Sequence, residues 1–317
     1  MAHYLIEKGF IPFDKSWILR MVLLDIINGS NHSIRFLKEH YDELGDDLKA
    51  AHRAYTGLKQ DKREIHVGES GTLYRFLKFL SYKHDLGLEL IPEGTLVKRA
   101  EKFCNDPDMV NWPLEKLLNT KDKTTQWASA AIICGNNEIV EYPDPKIKLS
   151  YEAKEHWHSR RKQRKYWEPH HDLTILAQAM CYMNFMKGED GTKYISRHAE
   201  DYCFARAFGF ITKEEGESRY PNLRGHESDR IAEMEKQLSN LNERRIVDTD
   251  DHRVVQAISM MYVVKNKAKI KDAVSKGMTG KDIVKRVQSK FSNPYCVSKT
   301  WPQFWRFIRY SLEIFQK

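Results

Sequence analysis

Apolar residues recur along this chain at two different spacings, and these spacings limit the folds open to it. Some runs repeat apolar side chains every three or four positions, which is typical of helices, and others alternate as strands do. The strand-like runs are 3–7, 64–67, 88–91, 138–142, 146–151 and 245–248. The helix-like runs are 16–27, 72–80, 125–133, 173–185, 227–241, 253–264, 280–291 and 301–315. Strand-like and helix-like runs therefore alternate along the chain, which predicts an α/β protein whose helix N-termini converge on one site.

The 317 residues are enough for two domains with separate cores. Residues 153–165 are predicted to form a loop that ends in the basic run 160–165, and the chain is expected to cross between domains there. We therefore predict one domain over 14–165 and a second built from 1–13 and 166–317.

The composition favours a soluble, cytoplasmic protein with an anionic ligand. Hydrophobic residues make up 41% and charged residues 30%, and the formal net charge is +8. We interpret this charge as spread along the chain, which argues against nucleic acid as the main partner. The run 160–165 and its aromatic neighbours keep a weaker nucleic-acid alternative open. Five cysteines without a Cys-x-x-Cys pair indicate reduced thiols, and no apolar stretch is long enough for a secretory signal or a membrane span.

The loop at 224–230 joins charged residues to the start of a helix. Ser228 or Asp229 can cap that helix, whose free N–H groups then face the loop. Arg230 supplies a planar cation suited to carboxylate or phosphate, and Glu227 could transfer a proton in that positive field. Ordinary helix-start charges are the alternative interpretation of these residues.

Other predicted helices begin with similar polar steps. Glycine or hydroxyl side chains at such starts let backbone N–H groups approach an anion. These starts are Asp14-Lys15-Ser16, Gly68 to Thr72, Lys123 to Gln126, His170-His171-Asp172, Asp250 to Arg253 and Ser298 to Pro302.

Taken in order, these segments resemble the motifs of the enolpyruvyl transferases, and within them the EPSP synthase family. The Lys-Ser-x-x-x-Arg start of that family is similar to Lys15, Ser16 and Arg20, and its Asp-His-Arg motif to Asp251-His252-Arg253. The remaining resemblances are Glu69 to Arg75, Thr124-Thr125-Gln126, Asp172 before an Ala- and Met-rich run, Asn222 to Arg230, and Lys299-Thr300-Trp301-Pro302. The ordered set extends from residue 15 to residue 302.

The resemblance implies two similar domains of βαβαββ units with inward-pointing helices, and substrates bound in the cleft as the domains close. It implies transfer of an enolpyruvyl group from phosphoenolpyruvate to a phosphorylated hydroxyl acceptor, most simply shikimate 3-phosphate. Phosphate would be released through a tetrahedral ketal. This is a step of the shikimate pathway of aromatic amino acid biosynthesis, and it needs no metal or organic cofactor. A monomer is expected.

The resemblance also implies roles for individual residues. Asp172, Glu227 and Lys15 would be catalytic. Phosphoenolpyruvate would be bound by Lys15, Gly71, Arg99, Gln126, Arg230, Arg253 and Lys299. The acceptor would be held by Ser16, Arg20, Thr124, Thr125, Gln126, Asp172, Asn222 and His226. Several cations are needed because phosphoenolpyruvate carries both a carboxylate and a phosphate.

The chain departs from the family pattern at several positions. His226 replaces a lysine, Glu69 replaces an asparagine and would repel an anionic ligand, and Ala100 replaces the proline that follows the arginine resembled by Arg99. Relatives are also longer, so parts of each domain are expected to be absent. Against the family pattern, residues 34–62 are enlarged and are expected to form an extra helical insertion. These departures keep two alternatives open, a binding protein without turnover and a transferase with another acceptor. The histidines at 156, 158, 170 and 171 do not have the spacing of a standard zinc site, so no metal is expected.

Overall fold

A computed structural model describes residues 1–135, 144–163, 170–192, 202–220, 223 and 229–315. Most of these residues are helical, and the described strands form one two-stranded parallel sheet. The protein is therefore a mixed α/β protein in which helix predominates. The predicted strand at 138–142 lies outside the described residues.

The chain divides into two compact units. The inserted unit is Phe13–His170, and the split unit combines Met1–Pro12 with His171–Lys317. Backbone hydrogen bonds close each unit where the chain passes between them. The N–H of Asp14 donates to the carbonyl of His170 at 2.7 Å, and the N–H of Asp172 donates to the carbonyl of Pro12 at 3.0 Å.

The inserted unit contains one short sheet among helices. Its elements are α2 (Lys15–Asn28), α3 (His32–Glu39), α4 (Asp46–Lys59), β1 (Glu64–Gly68), α5 (Gly71–His84), β2 (Glu89–Pro92), α6 (Thr95–Ala100), α7 (Leu114–Leu118), α8 (Gln126–Cys134) and α9 (Lys148–Gln163). The preceding helix of the chain, α1 (Ala2–Glu7), belongs to the split unit. Single 3-10 turns lie at Tyr41–Glu43 and Pro107–Asn111. Residues 34–62, predicted to be helical, contain most of α3 and all of α4.

A βαβ arrangement forms the centre of the inserted unit. Strands β1 and β2 pair in parallel, with Ile65 opposite Leu90, and α5 connects them. Ile65 and Val67 are buried whereas Glu64 and His66 are exposed, which is the alternation of a half-buried strand. The strands predicted at 64–67 and 88–91 are therefore confirmed.

The split unit is built from helices around its own apolar core. After α1 it contains α10 (Leu173–Lys187), α11 (Tyr202–Ala207), α12 (Lys213–Arg219), α13 (Arg230–Asn242), α14 (His252–Lys265), α15 (Lys267–Ser275), α16 (Gly280–Gln288) and α17 (Phe304–Ile314). A 3-10 segment at Pro294–Lys299 precedes α17. In this unit one isolated parallel bridge pairs Val247 with Phe291.

Three strand predictions are wrong. Residues 3–7 form α1, and 245–248 contribute only the bridge at Val247. Residues 146–151 lead into α9, because the buried positions Ile147, Tyr151, Lys154 and Trp157 follow helical spacing over a longer window. The repeated βαβαββ units expected from the family resemblance are thus not seen in the part of the chain that the structure describes.

The loop predicted over 153–165 is also wrong up to Gln163, because α9 continues to that residue. Trp157 anchors the helix by donating its indole N–H to the carboxylate of Asp25 on α2, at 2.9 Å. The same buried carboxylate accepts the backbone N–H of Ser33 at 2.6 Å, where α3 begins. One aspartate therefore ties three helices together, and burying its charge is tolerated because both oxygens have donors.

The helix predictions are confirmed with small shifts of their ends. The predicted helices at 16–27, 72–80, 125–133, 173–185 and 253–264 correspond to α2, α5, α8, α10 and α14. The three other predicted helices, at 227–241, 280–291 and 301–315, correspond to α13, α16 and α17. Each of them has one end about three residues inside its expected limit. No helix among the described residues combines the length and apolar character needed to cross a membrane.

Candidate functional site

Three of the predicted cations lie around the N-terminus of α14 in the split unit. Asp251 caps this helix by accepting the backbone N–H of Arg253 at 3.0 Å. Its second oxygen accepts a hydrogen bond from Nε of Arg230, the first residue of α13, at 2.9 Å. Burial alone would raise the pKa of the Asp251 carboxyl. The positive charge of Arg230, helped by those of His252 and Arg253, outweighs that effect and holds the pKa below its usual range.

Lys299 lies close to the same helix end. It is the last residue of the 3-10 segment Pro294–Lys299, which packs against α14. Burial raises the pKa of the Cys296 thiol in this segment to about 12, and the negative charges of Asp251 and Asp250 act in the same direction. The positive charge of Lys299 acts against them. Thr300 is tied to α14 by a hydrogen bond from Nε2 of Gln256, at 3.4 Å.

This arrangement is chemically suited to an anion. Arg230 and Arg253 act on the capping carboxylate of Asp251, and Lys299 acts on the neighbouring Cys296. The N–H groups and dipole of the helix N-terminus also favour negative charge. Asp251 neutralises part of this charge in the structure. The side chain of Arg230 remains 23% exposed, so an approaching carboxylate or phosphate could reach the cation from solvent.

Asp172 caps α10. Its carboxylate accepts the backbone N–H of Ile175 at 2.9 Å, and its own N–H donates to Pro12. The cap explains why an aspartate at this place starts a helix. Asn222, His226 and Glu227 were predicted to act beside it, but they lie outside the described residues.

In the inserted unit, Lys15 and Arg20 are engaged by protein groups. Nζ of Lys15 forms an ion pair with Asp47 of α4 at 2.9 Å. The buried guanidinium of Arg20 donates to Ser150 at 2.8 Å and to Ser129 at 3.2 Å. Burial lowers its pKa to about 10, against the charge of Asp14, so the arginine remains protonated near neutral pH. Ser16 provides the backbone carbonyl that accepts a further Arg20 hydrogen bond, at 2.7 Å.

The Thr124-Thr125-Gln126 segment belongs to a buried network around Arg75. Oε1 of Gln126 accepts from Arg75 at 2.7 Å, and its amide nitrogen donates to Thr72 at 2.8 Å. Nε of Arg75 donates to Asp122 at 2.8 Å, and the guanidinium lies 3.5 Å from the centre of the Phe103 ring. The arginine of the glycine motif is therefore held in the core of its unit.

The other predicted binding residues of this unit lie at helix starts or beside them. Thr124 is buried and accepts the N–H of Gln126 at 3.3 Å, whereas Thr125 precedes α8 without a side-chain cap. Gly71 is the first residue of α5, and Ser70 caps that helix. Arg99 lies 3.5 Å from the carbonyl of Glu69.

The Glu69 carboxylate is directed towards α6. It accepts a hydrogen bond from Thr95 at 2.9 Å and passes over Gly94, where an added Cβ would lie 1.8 Å from Oε1. Gly94 has a φ of 51°, so both its conformation and this close approach require glycine. Thr95 therefore provides this carboxylate with a partner inside the protein.

A cavity of about 700 Å³, which the sequence did not indicate, lies on the inserted unit between α4 and β1. It is lined by His52, Arg53, Lys62, His66 and Glu93, among others. Burial lowers the pKa of His52, and the positive charges of Lys38 and Arg53 lower it further. None of the predicted site residues that the structure describes lines this cavity. Its two histidines and two cations are spread over α4, β1 and the turn between them, and they give no periodic sequence signal that could have indicated it.

No group of three His, Cys, Asp or Glu side chains within the described ranges is placed to hold a metal ion. The described cysteines are all free thiols. Comparison of the chain with models of known families, with curated proteins and with solved structures gives no match.

Proposed function

We propose that this protein transfers an enolpyruvyl group from phosphoenolpyruvate to a hydroxyl of a phosphorylated acceptor, with shikimate 3-phosphate as the first acceptor to test. The observation that carries the proposal is the grouping of Arg230, Arg253 and Lys299 at the N-terminus of α14. These residues come from three separate motifs of the ordered set that resembles the enolpyruvyl transferases. Their grouping supports a site for a small, multiply charged anion.

In the proposed reaction the acceptor hydroxyl adds to C2 of phosphoenolpyruvate and a proton adds to C3. The ketal then loses phosphate from C2 and a proton from C3, which restores the double bond. Arg230, Arg253 and Lys299 would stabilise the carboxylate and phosphate charges. Asp172 and Glu227 would exchange the protons.

The internal partners of the inserted unit favour a second candidate. Lys15 is paired with Asp47, and Arg20 is buried among hydroxyl groups. A ligand at Lys15 or Arg20 would have to displace these partners, whereas binding of an anion at the N-terminus of α14 alone would not require it. The second candidate is therefore an anion-binding relative without turnover, or a transferase with another acceptor.

The first test incubates the protein with phosphoenolpyruvate and shikimate 3-phosphate and follows phosphate release. Release that requires both compounds supports the proposal. Thermal protection by phosphoenolpyruvate without release would support the second candidate, and absence of protection by either compound would contradict the site itself.

The site assignment is tested with Arg230→Ala and Lys299→Ala. Each should weaken phosphoenolpyruvate binding by about 1.5–3 kcal/mol, the range for a hydrogen bond to a charged group. Lys236→Ala is the matched control, because Lys236 is an exposed cation on α13, the helix that Arg230 starts. If both site variants bound phosphoenolpyruvate as tightly as the Lys236→Ala control, the assignment would be refuted.

The role of Asp172 is tested with Asp172→Asn, because asparagine can also cap a helix. If the carboxyl transfers a proton, this variant should lose turnover far more than phosphoenolpyruvate affinity. A variant with unchanged turnover would leave Asp172 with its capping role.

A further inference from the structure

The positive charge of this chain is concentrated in one short segment. Residues 265–290 contain nine Lys and Arg against two Asp, a net charge of +7. The rest of the chain is nearly neutral, with 43 basic and 42 acidic residues. The sequence interpretation of evenly spread charge is therefore wrong, because the overall value of +8 comes almost entirely from 26 consecutive residues.

The segment forms two short helices joined by a tight turn. Helix α15 and helix α16 have nine residues each, and residues 276–279 connect them. Gly277 has a φ of 95°, which suits a residue without a side chain, and its N–H donates to Val274 at 2.8 Å. Thr279 and Asp282 then form a capping box that starts α16. Two helices joined by a short turn containing glycine are the elements of a helix–turn–helix.

Both helices turn their apolar residues towards the core of the split unit. Ile283, Val284 and Val287 of α16 are buried, and Ile270 and Val274 of α15 pack against the same core. Helix α16 packs against α17 and α14, and α15 packs against α14. The opposite sides of both helices therefore face solvent, and these sides carry the cations.

Most of these cations are available to a partner. Lys269, Lys271, Lys285 and Arg286 are exposed, and within the described residues their side chains form no hydrogen bond or ion pair. The two acidic side chains reduce the charge little. Asp272 is paired with Lys276 at 2.7 Å, and Asp282 bonds back to Thr279 at the start of its own helix.

We propose that α15, the turn and α16 form a helix–turn–helix that binds duplex DNA. In this arrangement α16 enters the major groove and the first helix crosses the phosphate backbone. Lys281, Lys285 and Arg286 lie on the solvent side of the second helix, and Lys269 and Lys271 lie on that of the first. Phosphate neutralisation by such cations supplies most of the sequence-independent affinity.

Two observations favour DNA over other polyanions. A helix that binds a lipid surface exposes large apolar side chains between its cations. Residues 265–290 include none of the exposed large hydrophobic residues of the described chain. The narrow major groove of A-form RNA does not admit a helix, whereas that of B-form DNA does.

The test measures binding of the full chain to a fluorescent random-sequence DNA duplex by anisotropy, at salt concentrations from 50 to 200 mM, chosen because charge-driven binding changes steeply there. Lys285→Glu with Arg286→Glu should weaken binding by about tenfold or more and reduce the salt slope by about 2. Lys146→Glu with Lys148→Glu is the matched control, because both lysines are exposed in the inserted unit and the change in charge is equal. Lys269→Gln with Lys271→Gln on α15 is an independent second pair, used if the first disturbs folding as judged by circular dichroism.

Loss of DNA binding in the α16 or α15 pair, with retention in the control, supports the proposal. Equal binding by patch and control variants, or no binding to the duplex at the lowest salt concentration, overturns it. Double-stranded RNA and anionic phosphatidylserine vesicles are measured in parallel. Patch-dependent binding to vesicles without binding to DNA would overturn the proposal and assign the surface to a membrane. Equal affinity for RNA and DNA duplexes would overturn insertion of α16 into a groove.

Discussion

Each unit of this protein contains a pair of one arginine and one aspartate with almost the same hydrogen-bond length, and the two pairs differ in burial. In the inserted unit Arg75 and Asp122 are 2.8 Å apart, and their side chains are 1% and 5% exposed. In the split unit Arg230 and Asp251 are 2.9 Å apart, but Arg230 is 23% exposed. Judged by the nitrogen–oxygen distance alone, the two pairs would contribute equally to the stability of their units. Burial separates a pair that is closed to solvent from one whose cation solvent can reach.

The largest effect is expected at the buried pair. Asp122→Ala leaves the Arg75 charge buried without its carboxylate and removes an acceptor of the Trp127 indole N–H. Breaking such a pair costs about 3–5 kcal/mol of stability. Urea unfolding followed by circular dichroism measures the loss.

The double variant Arg75→Met with Asp122→Leu is the control, because it removes both charges and should recover much of the lost stability. A loss below about 1 kcal/mol in Asp122→Ala would show that water reaches this pair, and the contrast with the split unit would no longer hold.

A smaller effect is expected at the partly exposed pair. Arg230→Met keeps the aliphatic stem and leaves the cap of Asp251 on α14 intact. Because solvent screens the Arg230 charge, we expect a loss of about 1–2 kcal/mol, at or below the range for a hydrogen bond to a charged group. The same urea experiment measures it. A loss as large as that of Asp122→Ala would mean that Arg230 is as structural as Arg75.

A smaller effect is expected in the pH dependence of the contribution that Asp251 makes to the free energy of unfolding. The folded state lowers the pKa of this carboxyl, so its contribution is fully present above the unfolded pKa of about 3.9 and is lost as the pH falls through the folded value. The stability difference between the native protein and Asp251→Asn should therefore be constant from about pH 7 to pH 5 and shrink below about pH 4. A difference that grows on acidification would contradict the sign of the shift.

The smallest effects are expected at exposed pairs, where the two units should not differ. Lys148 pairs with Glu152 in the inserted unit, and Lys276 pairs with Asp272 in the split unit, all on well-exposed side chains. Lys148→Ala and Lys276→Ala should each change stability by less than about 0.5 kcal/mol. A loss above about 1 kcal/mol in either variant would show that exposure is a poor guide to these pairs.

Most of the helices could be predicted from the sequence because their signals are local. Asp14, Ser70, Asp172, Asp229 and Asp251 each precede a helix and cap it with the side chain, as the polar steps indicated. Short strand-like runs were less informative. Residues 3–7 and 146–151 alternate over too few positions to distinguish a strand from the end of a helix, and a strand also requires a neighbour to pair with.

The partners of the candidate site residues could not be predicted, because they come from distant parts of the chain. Asp47 lies on α4 and pairs with Lys15 on α2, and Asp122 lies in a loop and pairs with Arg75 on α5. Motif order identified the cations but not the carboxylates and hydroxyls that engage them. The basic segment at 265–290 was visible in the sequence, but a net charge taken over the whole chain concealed it.

The backbone bonds from Asp14 to His170 and from Asp172 to Pro12 have a practical consequence. They bring the two ends of the inserted unit, Phe13–His170, next to each other. They also hold Pro12 close to His171, where the two segments of the split unit meet. Excising the inserted segment and bridging Pro12 to His171 with a few glycines should therefore leave a continuous shorter polypeptide. The excised piece could be circularised or given new termini at a surface loop with little added strain.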